Sequence, residues 1–277
     1  MKKKLITAAV LTVAAITLVV ATVFTTLAFL ADSSAVSNTF TVGNVGIDMK
    51  ETKVDETGVA VDGNIKVDGN SYHLKPNGTY KKDPTIYIET TNASDTMFLY
   101  VKSNNMIRNL EAGNVKDSEG NPIPTTHKTM RQQMEANGWV EFIQSGDGVE
   151  IVWVYGTRAD NGVITPTPVN CESVQNVVNA EGELVSSGRP KGEFRLCEEF
   201  TIGNVDNAAL NLYGGTTVTF TGFAIQTSAV EPTGNALVKS SWDNIKDTFP
   251  VNCSIADPKN PYKDGVDAYA PVPKTQP

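Results

Sequence analysis

Two histidines, three cysteines and a scatter of loop carboxylates are the residues of this chain whose types suit chemistry. Metal-assisted hydrolysis asks for two imidazoles one helical turn apart with a glutamate beside them, so that both face one ion and a bound water is activated. His73 and His127 lie far apart in the sequence. His73 sits just before the Pro76-Asn77-Gly78 turn, and His127 opens a helical stretch with no glutamate at the matching offset. Both read as surface or capping residues. Asp62, Asp68, Asp117 and Asp264 are oxygen donors, but none has the spacing of a calcium loop, and they read as solvated carboxylates. No G-x-S-x-G occurs, and no cysteine is paired with a histidine base. These patterns imply no enzyme, no cofactor and no metal site.

The cysteines speak of location more than of catalysis. Cys171, Cys197 and Cys253 form neither a CxxC pair nor a zinc spacing. The N-terminus gives the address. Lys2, Lys3 and Lys4 precede an uncharged run from Leu5 to Leu30, and Thr26-Leu27-Ala28 places small residues at −3 and −1 of a cleavage site. The expectation is a signal peptide over 1–28, cut between Ala28 and Phe29, with a cut after Ala31 as the nearest variant. A permanent anchor is the alternative, since an uncharged run of this length can span a bilayer. Export follows in either case. The whole chain carries a net charge of −8, and losing three lysines makes the mature form more acidic still. That argues against nucleic acid or anionic lipid as a partner.

The elements around these residues are strands. Short alternating segments split by Gly, Asn, Asp and Pro predict one large all-β domain, a sandwich, over 29–256. Residues 39–48 read as one strand with a bulge at Gly43-Asn44. Residues 85–91 and 96–102 flank Asn92–Asp95, and 139–144 with 148–155 form a hairpin that sets Val149, Ile151, Trp153 and Tyr155 on one face. The longest alternation is 216–227, with Gly222 as a kink. One helix is expected within 126–138, where Met130 and Met134 share a face and Asn137-Gly138 is a stop. A second is expected over 235–249, with a stripe of Val238, Trp242, Ile245 and Phe249. Residues 165–200 read as a polar insertion, and 257–277, with five prolines, as a mobile tail. Cys171 and Cys197 lie near the two ends of the insertion. A disulfide between them, leaving Cys253 over, would stabilise by about 3–4 kcal/mol on loop entropy.

Several phrases taken together resemble the TasA/camelysin family of Gram-positive bacteria. They are the lysine-rich start and long apolar run; Phe29 and Asp32 after the cut; and the F-x-x-G-x-V-x-I of Phe40, Gly43, Val45 and Ile47. Leu74-Lys75-Pro76 and Lys82-Asp83-Pro84 follow, with Asn77-Gly78 where the family has Gly-Asp. The strand 216–229 and the Trp242 helix resemble the family's C-terminal pair. The resemblance implies a jelly-roll-like β-sandwich, processed by a SipW-type signal peptidase and secreted to the cell surface as a biofilm-matrix fibre protein. It also implies a copy of itself as partner, with a possible matrix or accessory subunit. The metallopeptidase activity sometimes attached to camelysin-like proteins finds no histidine pair here.

A fibre subunit needs an extended, β-prone N-terminus, whereas a monomer would keep such an edge short or charged. The segment from Phe29 to Ile47 has one acid, no base and no proline. After cleavage, residues 29–38 are expected to add as a strand to a neighbouring subunit, with Phe29, Ala31 and Val36 seeking pockets. The alternative is a monomeric surface adhesion module that contacts its partner through 165–200.

Overall fold

Ile47 and Met49 are buried while Asp48 and Lys50 between them are half-exposed, the two-residue period of a strand with one face on a core. The same pattern recurs through the computed structural model, which describes residues 40–42, 45–63, 65–144, 150–160, 163–178, 183–211, 213 and 216–229. All of these fall within the compact unit Ser37–Pro277. The signal peptide, the Ala28–Phe29 cleavage site and the donor residues Phe29, Ala31 and Val36 lie outside the described residues, as do the 235–249 helix, Cys253, Asp264 and the tail.

In chain order the first strands are β1 Phe40–Val42, β2 Ile47–Thr52, β3 Lys66–Val67, β4 Thr79–Lys81, β5 Thr85–Ile88 and β6 Met97–Asn105. Helix α1, Met130–Ala136, leads into β7 Trp139–Gln144 and β8 Glu150–Arg158. Then come β9 Ile164–Pro166, β10 Asn176–Val178, β11 Leu184–Ser186, β12 Glu193–Arg195 and β13 Glu199–Thr201. A short α2, Asn207–Asn211, precedes β14 Val218–Gln226. The protein is mainly β.

The larger sheet runs β1-β14-β6-β8-β7, with β9 also on β8; a second runs β12-β5-β2-β3. They meet at Gly222. A Cβ there would sit 3.1 Å from Met49 Cε and 3.3 Å from Ile47 Cδ1. Gly222 is therefore a point of close approach between layers, not the expected kink, and β14 pairs with β6 without interruption across it. Leu99, Val101, Trp153, Ile47, Met49, Ile86 and Phe194 fill the shared core. The outer face of the larger sheet is buried as well, at Phe98, Tyr100, Phe142, Val154 and Phe223.

The expected hairpin is present as β7–β8, with a register shift between Glu141 and Ile143. Helix α1 forms as expected, with Met130 and Met134 buried. It stops at Asn137-Gly138, where Gly138 has φ +83°, the left-handed conformation that glycine adopts without a Cβ penalty. The single bulged strand expected over 39–48 does not form. β1 pairs parallel with β14, while β2 joins the other sheet on β5, so the two halves of the expected strand belong to different layers. The segments 85–91 and 96–102 part in the same way, β5 to one sheet and β6 to the other.

Candidate functional site

Among the described residues, one edge of the larger sheet is only partly paired. β14 bonds to β6 along its whole length, from Val218 opposite Asn105 to Gln226 opposite Met97. On its other side β1 meets only Phe223, Ala224 and Ile225. Among the described residues no strand lies against that edge from Val218 to Gly222. Backbone donors and acceptors along such an edge are what an added strand would satisfy. β1 follows directly on the segment 29–38.

A second constellation lies inside the domain, where Lys82-Asp83-Pro84 connects β4 to β5. Glu51 extends the inward phase of Ile47 and Met49, and Lys82 extends that of Tyr80, so both charges enter the core. Their exposures are 3% and 6%, and that of Asp83 is 2%. Lys82 Nζ donates to Glu51 Oε2 at 2.9 Å. Asn70, which follows β3, donates from Nδ2 to Glu51 Oε1 at 2.9 Å and to the Thr52 carbonyl at 2.8 Å. Its Oδ1 accepts the Val54 N–H at 2.8 Å. The ammonium also lies 5.9 Å from the Tyr72 ring centre and 5.7 Å from that of Phe220, within cation–π reach. Burial pushes the Tyr72 hydroxyl far above its ordinary range. Asp83 accepts the Thr52 N–H and the Thr52 hydroxyl, both at 2.7 Å, and pairs with Lys81 at 3.4 Å. Burial acts to raise the Asp83 carboxyl, but the Thr52 bonds and the nearby Lys81 and Lys66 outweigh it and hold it below the usual carboxylate range.

Glu111 is a fourth buried ionisable side chain, 1% exposed. Its Oε2 accepts the Met130 N–H and its Oε1 the Asn105 amide, each at 2.6 Å. Burial dominates these bonds and pushes the carboxyl up to about 7.

The residues singled out by sequence do not converge. His73 and His127 are both exposed; His73 donates its N–H to the Glu56 carbonyl, and His127 Nδ1 lies 3.3 Å from the Thr201 hydroxyl. Asp68 pairs with Lys50, and Asp117 holds a turn by accepting from the Glu119 and Asn121 N–H groups. Among the described residues no three His, Cys, Asp or Glu side chains form a metal-holding group. The expected Cys171–Cys197 bridge is not made, and both thiols are free. Cys171 packs on Gly192, which bonds to Ile88, whereas Leu196 bonds to Pro84 at the other end of the same ladder. Four extended residues separate Gly192 from Leu196, roughly 13 Å, beyond the span a disulfide tolerates. The Cys197 thiol is instead buried and donates to the Lys82 carbonyl at 3.4 Å, and burial pushes it up out of its ordinary range.

The stretch 165–200 is likewise tied in. Phe194, Leu196 and Cys197 are fully buried, and Gln175 donates to the Asn137 and Arg195 carbonyls and accepts the Arg195 N–H. Sequence reasoning assigned no role to Glu51, Asn70, Tyr72 or Lys82. The available signal was a charge on the core phase of two alternating segments. Comparison of the chain with protein-family models, curated proteins and solved structures gives no match.

Proposed function

We propose that this chain is a secreted structural protein of the extracellular biofilm matrix, a fibre subunit of the TasA/camelysin kind that its sequence resembles. In this reading the two facing sheets are a jelly-roll-like sandwich, and a SipW-type peptidase cuts between Ala28 and Phe29. The freed residues 29–38 then pair with the sheet of a neighbouring copy. A head-to-tail contact of this kind does not close on itself, so it gives filaments.

The observation that carries the proposal is the edge of β14 from Val218 to Gly222, directly upstream of the three residues that β1 covers. In this reading the segment that precedes β1 leaves its own chain and fills the same edge of a neighbouring copy. Before cleavage that segment is held by the apolar run, so the cut also acts as the assembly switch.

Negative-stain microscopy and sedimentation of three forms test this. They are a chain starting at Phe29, one starting at Thr39, and the longer form carrying Val36→Pro, which removes a backbone donor. Filaments are expected from the first alone. Equal polymerisation of the truncated form rules out the N-terminal strand as connector. Monomers in every form return the chain to the adhesion-module reading.

A further inference from the structure

We propose that Lys82 and Asn70 become joined by an amide bond, Lys82 Nζ to Asn70 Cγ, formed by the protein itself with Glu51 carrying the protons. This inference stands apart from the fibre reading and holds for a monomer as well.

The reaction needs an amine nucleophile sheltered from water, a carboxamide, and an acid that touches both nitrogens. Glu51 supplies the last. Its Oε2 accepts from Lys82 Nζ and its Oε1 from Asn70 Nδ2, each at 2.9 Å, so one carboxylate spans nucleophile and leaving group. The Asn70 oxygen, where negative charge would develop, already accepts the Val54 N–H at 2.8 Å. That donor plays the part of an oxyanion hole. The bond from Asn70 Nδ2 to the Thr52 carbonyl fixes the plane of the amide. The Tyr72 and Phe220 rings flank the amine. A lysine–glutamate ion pair alone would leave the shared carboxamide and its backbone donor without a purpose, and buried ion pairs stabilise little.

The step balances. A proton crosses from Lys82 Nζ to Glu51 Oε2, leaving a neutral amine and a carboxylic acid. The amine nitrogen attacks Asn70 Cγ, and the oxygen of the tetrahedral intermediate takes the Val54 N–H bond. Glu51 hands its proton to Nδ2 and accepts one from the attacking nitrogen. The Cγ–Nδ2 bond breaks and ammonia leaves. The net change turns one ammonium, one carboxylate and one carboxamide into a secondary amide, a carboxylic acid and ammonia, so that neither Lys82 nor Glu51 keeps its charge.

The test is mass spectrometry of the full chain after expression. The intact protein is expected to be lighter than its sequence by one ammonia. Cyclisation of Asn70 onto the Ser71 nitrogen would give the same deficit, so a tryptic map decides. Trypsin passes Lys75 because Pro76 follows it, and an acylated Lys82 is not cut. The expected product is Val67–Lys81 covalently joined to Lys82–Lys102. Separate Val67–Lys81 and Asp83–Lys102 peptides from the wild-type chain overturn the proposal. Lys82→Arg, which keeps the charge, and Glu51→Gln are both expected to give unlinked chains of full sequence mass. A cross-link that persists in Glu51→Gln overturns the role given to Glu51.

Discussion

Asp83 and Glu111 are two carboxylates with almost the same exposure, 2% and 1%, and opposite acidities. Each accepts two short hydrogen bonds. Asp83 takes both from Thr52 and has ammonium groups nearby, and it is held below its usual range. Glu111 takes its two from a helix amide and an asparagine, both uncharged, and rises to about 7. Burial raises both acids: at Asp83 the two Thr52 bonds, helped by Lys81 and Lys66, outweigh it, and at Glu111 two bonds with no cation beside them do not. The two carboxylates should therefore answer pH in opposite directions.

Removing Asp83 should have the largest effect. Asp83→Ala deletes two bonds to a charged acceptor, each worth about 1.5–3 kcal/mol, so a loss of roughly 3–5 kcal/mol is expected in urea unfolding. Because the folded-state value of Asp83 is depressed, its contribution is present above the unfolded value of 3.8 and is lost as pH falls through the folded value. The acid limb of the stability curve should flatten in Asp83→Ala. An unchanged limb would show that Thr52 and Lys81 do not hold the charge.

Glu111 gives the contrary sign and a smaller change. Its value is raised from 4.5 to about 7, so the neutral form is the one the fold favours. Stability is fully present below pH 4.5 and declines as pH rises toward 7, by on the order of 2–3 kcal/mol. Asn105 Oδ1 is buried without a hydrogen-bond partner, and a rotated Asn105 amide can accept from a protonated Glu111. Glu111→Gln should remove the slope between pH 4.5 and 7 and leave the acid limb of Asp83 alone. A slope that survives the substitution places the titration elsewhere.

Local pattern gave away the local structure. Trp139–Gln144 and Glu150–Arg158 are adjacent strands with a turn sequence between them, and α1 carries its own stop signal at Asn137-Gly138. Assignment to a sheet is not local. β5 and β6 have only eight residues between them, yet bond into different layers; which layer a strand joins depends on partners such as β12 and β14, more than a hundred residues away. The charged constellation was half legible. Glu51 and Lys82 share the phase of buried apolar neighbours, which alternation alone can show, but that they meet each other follows from the pairing of β2 with β5, and that Asn70 joins them from the pairing of β2 with β3. Cys197 was misread because its insertion was taken as polar throughout. Phe194 and Leu196 alternate just ahead of it and mark a return to the core.

The smallest effect sharpens the Glu111 side of the comparison. The first amides of a helix lack partners within it, and α1 has two side chains that supply them. Thr129 Oγ1 accepts the Gln132 N–H at 3.2 Å, and Gln132 Oε1 accepts the Thr129 N–H at 2.9 Å, a reciprocal capping box. Glu111, from a different part of the chain, takes the Met130 N–H. Thr129→Ala should lower stability by about 1 kcal/mol, the usual effect of losing a cap, because Glu111 still holds the first amide. Both side chains serve the same turn, so the double variant with Glu111→Gln should depart from additivity by at least about 0.5 kcal/mol. Additive losses in thermal unfolding at pH 6 would mean that Glu111 packs beside the helix without supporting its start. Its raised acidity range would then report burial alone.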